Sequence, residues 1–419
     1  MTDREFDVVL FGAGGFVGSL TAVHLAAVAG PQVRIALAGR SAGRLQQVRR
    51  QLGESAEHWA LIEVDAADAV GLGRLAAGTT ALATTVGPYA RYGRVVVQAA
   101  AAAGTHYADL TGETLFVRWT LDEVAAQARD TGAKLVHSCG FDSIPSDLGV
   151  LLVAQRAAAD GEGTLTDATL VVRTLKGGIS GGTVDSARQQ AIMAHDDPAS
   201  ARVLKDPLSL SPRRAEEPVP APSQRQSPAR RLRGLVPVER EPGTGHWLGP
   251  FVMADYNTRV VRLSNTLTDW SYGREFRYRE VTDAGSGRWA PVLAAGTRIG
   301  LAALQAGLSW RPTRRLLDRV LPRPGEGPSA GQRAAGRFRL EISATTSTGA
   351  RYRSTVAAAY DPGYNGTAVM LGQSALCLAL DTPRLPERAG VLTPATAMGD
   401  VLVERLRDHG FTFRVERLT

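Results

Sequence analysis

The chain opens on a short apolar run, Phe6-Asp7-Val8-Val9-Leu10-Phe11, that stops at Gly12. Runs this short and this apolar read as strands covered on both faces. Similar runs recur at Val33–Ala38, Trp59–Val64, Thr80–Thr85, His106–Ala108 and Lys134–His137. Helix-compatible stretches separate several of them, at Leu20–Ala27, Tyr92–Ala103 and Leu115–Asp130. Regular strand–helix alternation predicts a doubly wound parallel sheet. Beyond it the rhythm changes. A helix is expected around Leu148–Ala158, a strand at Ala168–Leu175 and a helix at Val184–Ala194. Strands are expected at Phe251–Ala254 and Thr258–Leu263, then an alternating pair at Phe338–Thr345 and Tyr352–Ala359. A helix over Thr396–His409 and a strand at Phe411–Val415 close the chain.

The turn after the first strand carries the first chemical signal. Gly12-Ala13-Gly14-Gly15-Phe16-Val17-Gly18 sits between a strand and a helix, where backbone can approach a pyrophosphate and the helix start can face it. The spacing departs from G-x-G-x-x-G, because Val17 stands where the third glycine belongs; Gly12, Gly15 and Gly18 fit G-x-x-G-x-x-G instead. The second strand ends in Gly39-Arg40-Ser41, with Arg44 nearby. An NAD site usually places a carboxylate here for the ribose 2′-hydroxyl, whereas an arginine suits a 2′-phosphate. NADPH is therefore the expected cofactor. Asp65, after the third strand, either meets the adenine or caps a turn. Val86-Gly87-Pro88 lies at a strand end on the carboxyl edge of the sheet, where ligands bind.

The fold class that follows is α/β: a Rossmann-like doubly wound parallel sheet over residues 1–150, and a second α+β domain with a mixed or antiparallel sheet over 151–395. Residues 396–419 are expected to pack back on the first domain.

Composition narrows the function. The 419 residues are 44% hydrophobic and 21% charged, which is ordinary globular usage. Two cysteines, Cys139 and Cys377, exclude a disulfide scaffold and a multi-cysteine zinc site. No zinc-binding histidine pair or phosphate-binding lysine loop occurs, so neither metal nor ATP is implied. The N-terminus lacks the basic and long apolar regions of a signal peptide, and a cytoplasmic protein is expected. The formal charge is +7, and of 48 basic residues only Lys134, Lys176 and Lys205 are lysines. That charge is either a solvated surface or a preference for an anionic partner. Nucleic acid is not indicated, since no zinc-finger or aromatic–basic signature accompanies it.

The Gly12–Gly18 turn, Ala38-Gly39-Arg40, Val86-Gly87-Pro88-Tyr89, Asp109–Glu113 and Gly140-Phe141-Asp142-Ser143-Ile144-Pro145-Ser146-Asp147 resemble the saccharopine dehydrogenase-like oxidoreductases. Asp361-Pro362-Gly363-Tyr364, Met370–Ala379 and Gly390-Val391-Leu392-Thr393-Pro394 extend the resemblance to its actinobacterial trans-acting enoyl reductase branch. It covers most of the chain outside 205–245. It implies an NADPH-dependent enzyme that reduces an acyl-chain double bond in polyketide or lipid assembly. The acyl substrate would sit on an acyl carrier protein or polyketide synthase. The alternatives are an imine or amino-acid reductase of the saccharopine type, and a non-catalytic, lipid-associated NADP-binding scaffold. Reduction of an enoyl thioester needs a donor for the developing oxyanion and a proton for the α-carbon. Tyr89 is the first nominee, with Tyr107, Glu113 and Asp142 behind it. Each has a bland alternative, the aromatics as packing and the carboxylates as caps.

Three features of the second domain stand out. Gly178-Ile179-Ser180-Gly181-Gly182 matches G-x-S-x-G, but reads better as a glycine-rich loop near substrate than as a nucleophile elbow. Residues 205–245 are rich in proline and arginine, and are expected to be a flexible insertion, solvated or docking an acidic carrier protein. The apolar segment 292–310 contains Arg298 and Gln305, which disfavours a membrane span. It is expected to be a buried or acyl-lining helix, with peripheral membrane contact as the alternative. Assembly with copies of itself is left open.

Overall fold

The computed structural model describes residues 4–177, 181–218, 239–241, 243–309, 313 and 327–418. The first sheet grows from β1 (Phe6–Phe11), β2 (Ile35–Gly39), β3 (Ala60–Glu63), β4 (Thr79–Thr84), β5 (His106–Ala108) and β6 (Lys134–Val136). Helices α1 (Phe16–Val28), α2 (Ala42–Leu52), α3 (Ala69–Ala77), α4 (Tyr89–Ala103), α5 (Thr114–Glu123) and α6 (Ala125–Thr131) connect them. The period of two decides which face each residue serves. Val8 and Leu10 join a core with Leu25 of α1, whereas Val9 and Phe11 join another with Val96 and Val97 of α4. Covered on both sides, the strands can be apolar throughout.

After α7 (Ile144–Ala159) the chain lays down β7 (Leu165–Lys176), α8 (Gly181–Asp196), α9 (Pro198–Lys205), β8 (Glu239–Arg240), β9 (Trp247–Pro250), α10 (Ala254–Leu267) and β10 (Arg277–Asp283). It continues through α11 (Ala290–Ser309), α12 (Ala330–Ala334), β11 (Arg337–Thr346), β12 (Arg351–Ala358) and α13 (Thr367–Leu380). The last elements are β13 (Gly390–Leu392), α14 (Pro394–Ala397), α15 (Gly399–Asp408) and β14 (Phe411–Arg417). The second sheet runs β14-β12-β11-β7-β10-β9-β8. Only the β7–β10 pair is parallel, so this sheet is mixed.

The parallel sheet runs β13-β6-β5-β4-β1-β2-β3. Its seventh strand, β13, comes from between two strands of the second sheet, β12 and β14, and pairs Val391 with Leu135. The first domain is therefore discontinuous, not confined to residues 1–150. The boundary at 150 also falls inside α7, whose Gly149 lies flush on the second sheet: a Cβ there would fall 2.5 Å from Ile342 Cδ1. A second correction concerns only the end of the C-terminal segment, since His409 meets the ring of His24 on α1 at 5.3 Å as expected. β14 does not return to the first sheet; it pairs with β12, Phe413 opposite Val356. Its alternation places Phe411 and Phe413 in the core of the second domain.

The strands expected at Phe251–Ala254 and Thr258–Leu263 are instead a turn and the helix α10. The β-branched Thr258, Val260 and Val261 suggest a strand locally, but packing overrides propensity. Tyr256, Val260 and Leu263 fall on one helical stripe and bury themselves against Val117 and Leu210.

The insertion is pinned where it is described. Arg259 of α10 is 1% exposed and donates to the carbonyls of Leu204 (2.7 Å) and Asp206 (3.2 Å) and to Ser209 Oγ (3.2 Å). Arg262 pairs with Glu217. The expected flexibility thus fails for 206–218, while residues 219–238 and 242 lie outside the described residues. So do Gly178, Ile179 and Ser180 of the glycine-rich loop. The helix expected in 292–310 forms, but Val292, Leu293 and Ile299, with Trp289 before them, are each more than half exposed and not buried. Among the described residues no helix is long and apolar enough to cross a membrane.

Candidate active site

The glycine turn is shaped by close approaches. Gly12 has φ +90°, and a Cβ there would lie 2.7 Å from both Thr85 Oγ1 and Val86 Cγ2. At Gly18 a Cβ would lie 2.1 Å from the Gly12 carbonyl oxygen, so only glycine lets α1 start this close to β1. The Gly15 N–H donates to that carbonyl at 2.9 Å. Gly15 is the N-cap of α1 and offers no side-chain acceptor. The first-turn amides of α1, including those of Phe16 and Val17, thus have no capping side chain, as an anion site requires. Gly14, Gly15, Phe16 and Ser19 face Arg44 and Gln47 of α2 across a shallow groove.

Arg44 lines this groove and Arg40 directly follows β2; both are exposed, and neither guanidinium has a carboxylate partner among the described residues. Ser41 caps α2, its Oγ accepting the Arg44 N–H at 3.5 Å. Two unpaired cations at the end of β2 suit a 2′-phosphate. Asp65 takes the bland option, its Oδ1 accepting the Ala67 N–H at 2.9 Å in a turn. Val86, Gly87 and Pro88 lead from β4 to α4, Gly87 exposed at the sheet edge. These residues fit a dinucleotide phosphate: a glycine-walled backbone turn at an uncapped helix start, with exposed arginines nearby.

Three of the four catalytic nominees have structural work. Tyr89 is 4% exposed; its hydroxyl donates to the Thr84 carbonyl at 3.2 Å and accepts the Leu110 N–H at 3.1 Å. Burial pushes its phenol well above the ordinary range. Glu113 is fully buried and caps α4, accepting the N–H groups of Tyr89 and Ala90 at 2.8 Å each. Ser186 of α8 donates to the same carboxylate at 2.7 Å, so this cap also ties the domains together. Burial raises the Glu113 pKa even so. Tyr107 is fully buried on β5 and donates to Asp109 Oδ2 at 3.0 Å.

Asp142 differs. Its carboxyl is partly buried in the loop before α7, and it has no hydrogen-bond or ionic partner among the described residues. Loss of solvent raises its pKa to about 6. Its charge is felt at Tyr256, whose phenol burial also raises.

The structure adds residues that the sequence reading passed over. Asp109 is wholly buried and fully used: Oδ1 accepts the N–H groups of Thr111 and Ser138 at 3.0 Å each. Its Oδ2 accepts from Tyr107 and from His137 Nδ1 at 2.7 Å. His137 Nε2 meets Thr120 Oγ1 at 2.9 Å. Ser138 holds φ +65°, a left-handed conformation that costs a serine about 1–2 kcal/mol. Tyr256 reaches Ser138 from α10. The network spans the ends of β5 and β6 and the second domain, so spacing along the chain carried no signal for it. The Asp109–Glu113 motif was visible in sequence; its partners were not.

Residues 8–136 match the family of the saccharopine dehydrogenase NADP binding domain. Over 422 aligned positions the chain is 50% identical to a Mycobacterium tuberculosis protein provisionally named a trans-acting enoyl reductase, covering 100% of this chain and 99% of that one. It is 47% identical to a trans-acting enoyl reductase of the same species over 421 positions, with the same shares covered. A counterpart in Mycobacterium ulcerans is 46% identical over 99% of both chains. Among solved structures, the apo saccharopine dehydrogenase (L-Glu forming) of Saccharomyces cerevisiae superimposes with a TM-score of 0.53 at 14% identity. That comparison covers 98% of this chain and 99% of the yeast one, and shows the shared fold.

Proposed function

The chain belongs to the trans-acting enoyl reductases of the saccharopine dehydrogenase-like family, an NADP-dependent oxidoreductase, and from that premise we propose that it saturates the α,β double bond of an acyl thioester in polyketide or lipid assembly. The observation that carries this reading is the 50% identity along the whole chain, second domain included. Likeness limited to residues 8–136 would speak only for cofactor binding.

NADPH supplies the hydride. Gly12, Gly15, Gly18 and the start of α1 would hold its pyrophosphate, and Arg40 and Arg44 its 2′-phosphate. What remains for the protein is to hold the thioester oxygen as it gains charge and to deliver a proton to the α-carbon. In our reading Asp142 delivers the proton, because an unpartnered carboxyl with a pKa near 6 keeps a protonated fraction at neutral pH. Tyr256 is the oxygen donor, its phenolic proton turning from Ser138 Oγ to the thioester oxygen as that oxygen gains charge. Tyr89, Tyr107 and Glu113 position the loops around them. The acyl chain would arrive on an acidic carrier protein, a reading supported by the +7 charge.

The test is NADPH consumption by the purified chain with an enoyl thioester, on pantetheine and on a carrier protein, with the product identified by mass spectrometry. A saturated acyl product confirms the reading. Tight NADPH binding with no turnover of any enoyl thioester would sink it in favour of a scaffold. Turnover of an amine and an oxo acid instead would favour saccharopine-type chemistry.

A further inference from the structure

The glycine turn is approached from the second domain as well. Arg333 lies on the short helix α12, just ahead of β11. Its guanidinium carbon stands 5.2 Å from the centre of the Phe16 ring, and Phe16 is the first residue of α1. The same ring meets Tyr364 edge-on at 5.1 Å. Backbone packing fixes the approach. A Cβ on Gly336 would lie 2.3 Å from Asp361 Cα, and Asp361 in turn accepts the Tyr364 N–H at 2.8 Å.

The guanidinium is under-used. Nη1 donates to the Pro328 carbonyl at 2.6 Å. Nε is buried and has no acceptor. No carboxylate pairs with Arg333 among the described residues. A buried donor without an acceptor calls for an explanation. The cradle beside it offers backbone amides to a dianionic pyrophosphate; Arg44 of α2 faces it from the first domain, and Arg333 is the cation that approaches it from the second.

We infer that Arg333 clamps the cofactor's pyrophosphate from the second domain. The inference rests on the cofactor reading above. An arginine fork beside a helix N-terminus supplies both charge and paired donors.

The test compares three ligands by calorimetry: NADPH, 2′-phospho-ADP-ribose, which keeps the pyrophosphate, and adenosine 2′-monophosphate, which has no 5′-phosphate. Arg333→Ala is expected to weaken the first two about tenfold and the third less than about twofold. Arg333→Lys, which keeps the charge and loses the fork, should recover part of the loss. Equal weakening of all three ligands, or of none, would overturn the clamp while leaving the cofactor site intact. Failure of the wild-type chain to bind any of them would overturn the cofactor reading and the clamp together.

Discussion

Tyr256 donates its phenolic proton to Ser138 Oγ across a 2.5 Å contact, joining residues 118 apart in sequence and in different domains. The direction follows from proton counting. Ser138 spends its own hydroxyl hydrogen on the Thr111 carbonyl at 2.8 Å, so its oxygen must accept. The Ser138 N–H meanwhile holds Asp109. One residue with an unfavourable φ thus connects a helix of the second domain to the buried Asp109–His137 pair of the first.

Tyr256→Phe removes one bond of this chain and leaves Ser138 bonded to Thr111. The stability loss should be small, about 1 kcal/mol. Enoyl reduction should suffer far more, with kcat falling at least about tenfold while NADPH affinity holds. Proportional losses in stability and rate, or an unchanged kcat, would reduce Tyr256 to a structural tie.

Legibility in the sequence followed the range of the interactions. The turn Gly12–Gly18 and the alternation in β1 are dictated by neighbours, and both were readable. The place of Arg40 directly after β2 was readable because it stands at a fixed offset from the turn. Tyr256 was not: the β-branched residues after it suggest a strand, and only packing against Val117 and Leu210 makes the segment helical. β13 was equally hidden, because a three-residue strand has no period, and its partner β6 lies some 250 residues earlier. Tyr89 and Glu113 drew attention for a real reason, their place at the sheet edge. Their polar atoms turned out to be occupied by backbone and, at Glu113, by Ser186 as well.

Glu113 should behave as a cap. Glu113→Ala strands the Tyr89 and Ala90 amides and frees Ser186, and is expected to cost about 2 kcal/mol. Glu113→Gln retains one acceptor oxygen and should lose roughly half of that. Urea denaturation reads this as a lower midpoint at constant slope. Wild-type stability in Glu113→Ala would remove the capping role.

Cofactor preference should turn on the end of β2. Arg40→Asp places a carboxylate where a 2′-phosphate would bind. NADPH affinity is expected to fall about 10- to 100-fold, with NADH affinity unchanged or improved. Equal losses for both cofactors would mean that Arg40 shapes the loop and does not read the phosphate.

Asp142 should show a conflict between stability and activity. Its pKa rises to about 6 through burial alone, with no partner to stabilise the anion. The folded state therefore holds this proton more tightly than the unfolded chain, whose aspartates titrate near 4. The contribution is fully present below the unfolded value and disappears as pH climbs through about 6. At pH 7 the folded protein carries a desolvated, unpaired carboxylate. Asp142→Asn removes that charge and should stabilise the protein at pH 7 by about 1–2 kcal/mol, with little change at pH 4. If Asp142 delivers the α-carbon proton, the same substitution should lower kcat at least about 100-fold. The wild-type fall in kcat above pH 6 should also flatten. A variant that gains stability and keeps its pH–rate profile would leave Asp142 as an uncompensated buried charge with no part in the chemistry.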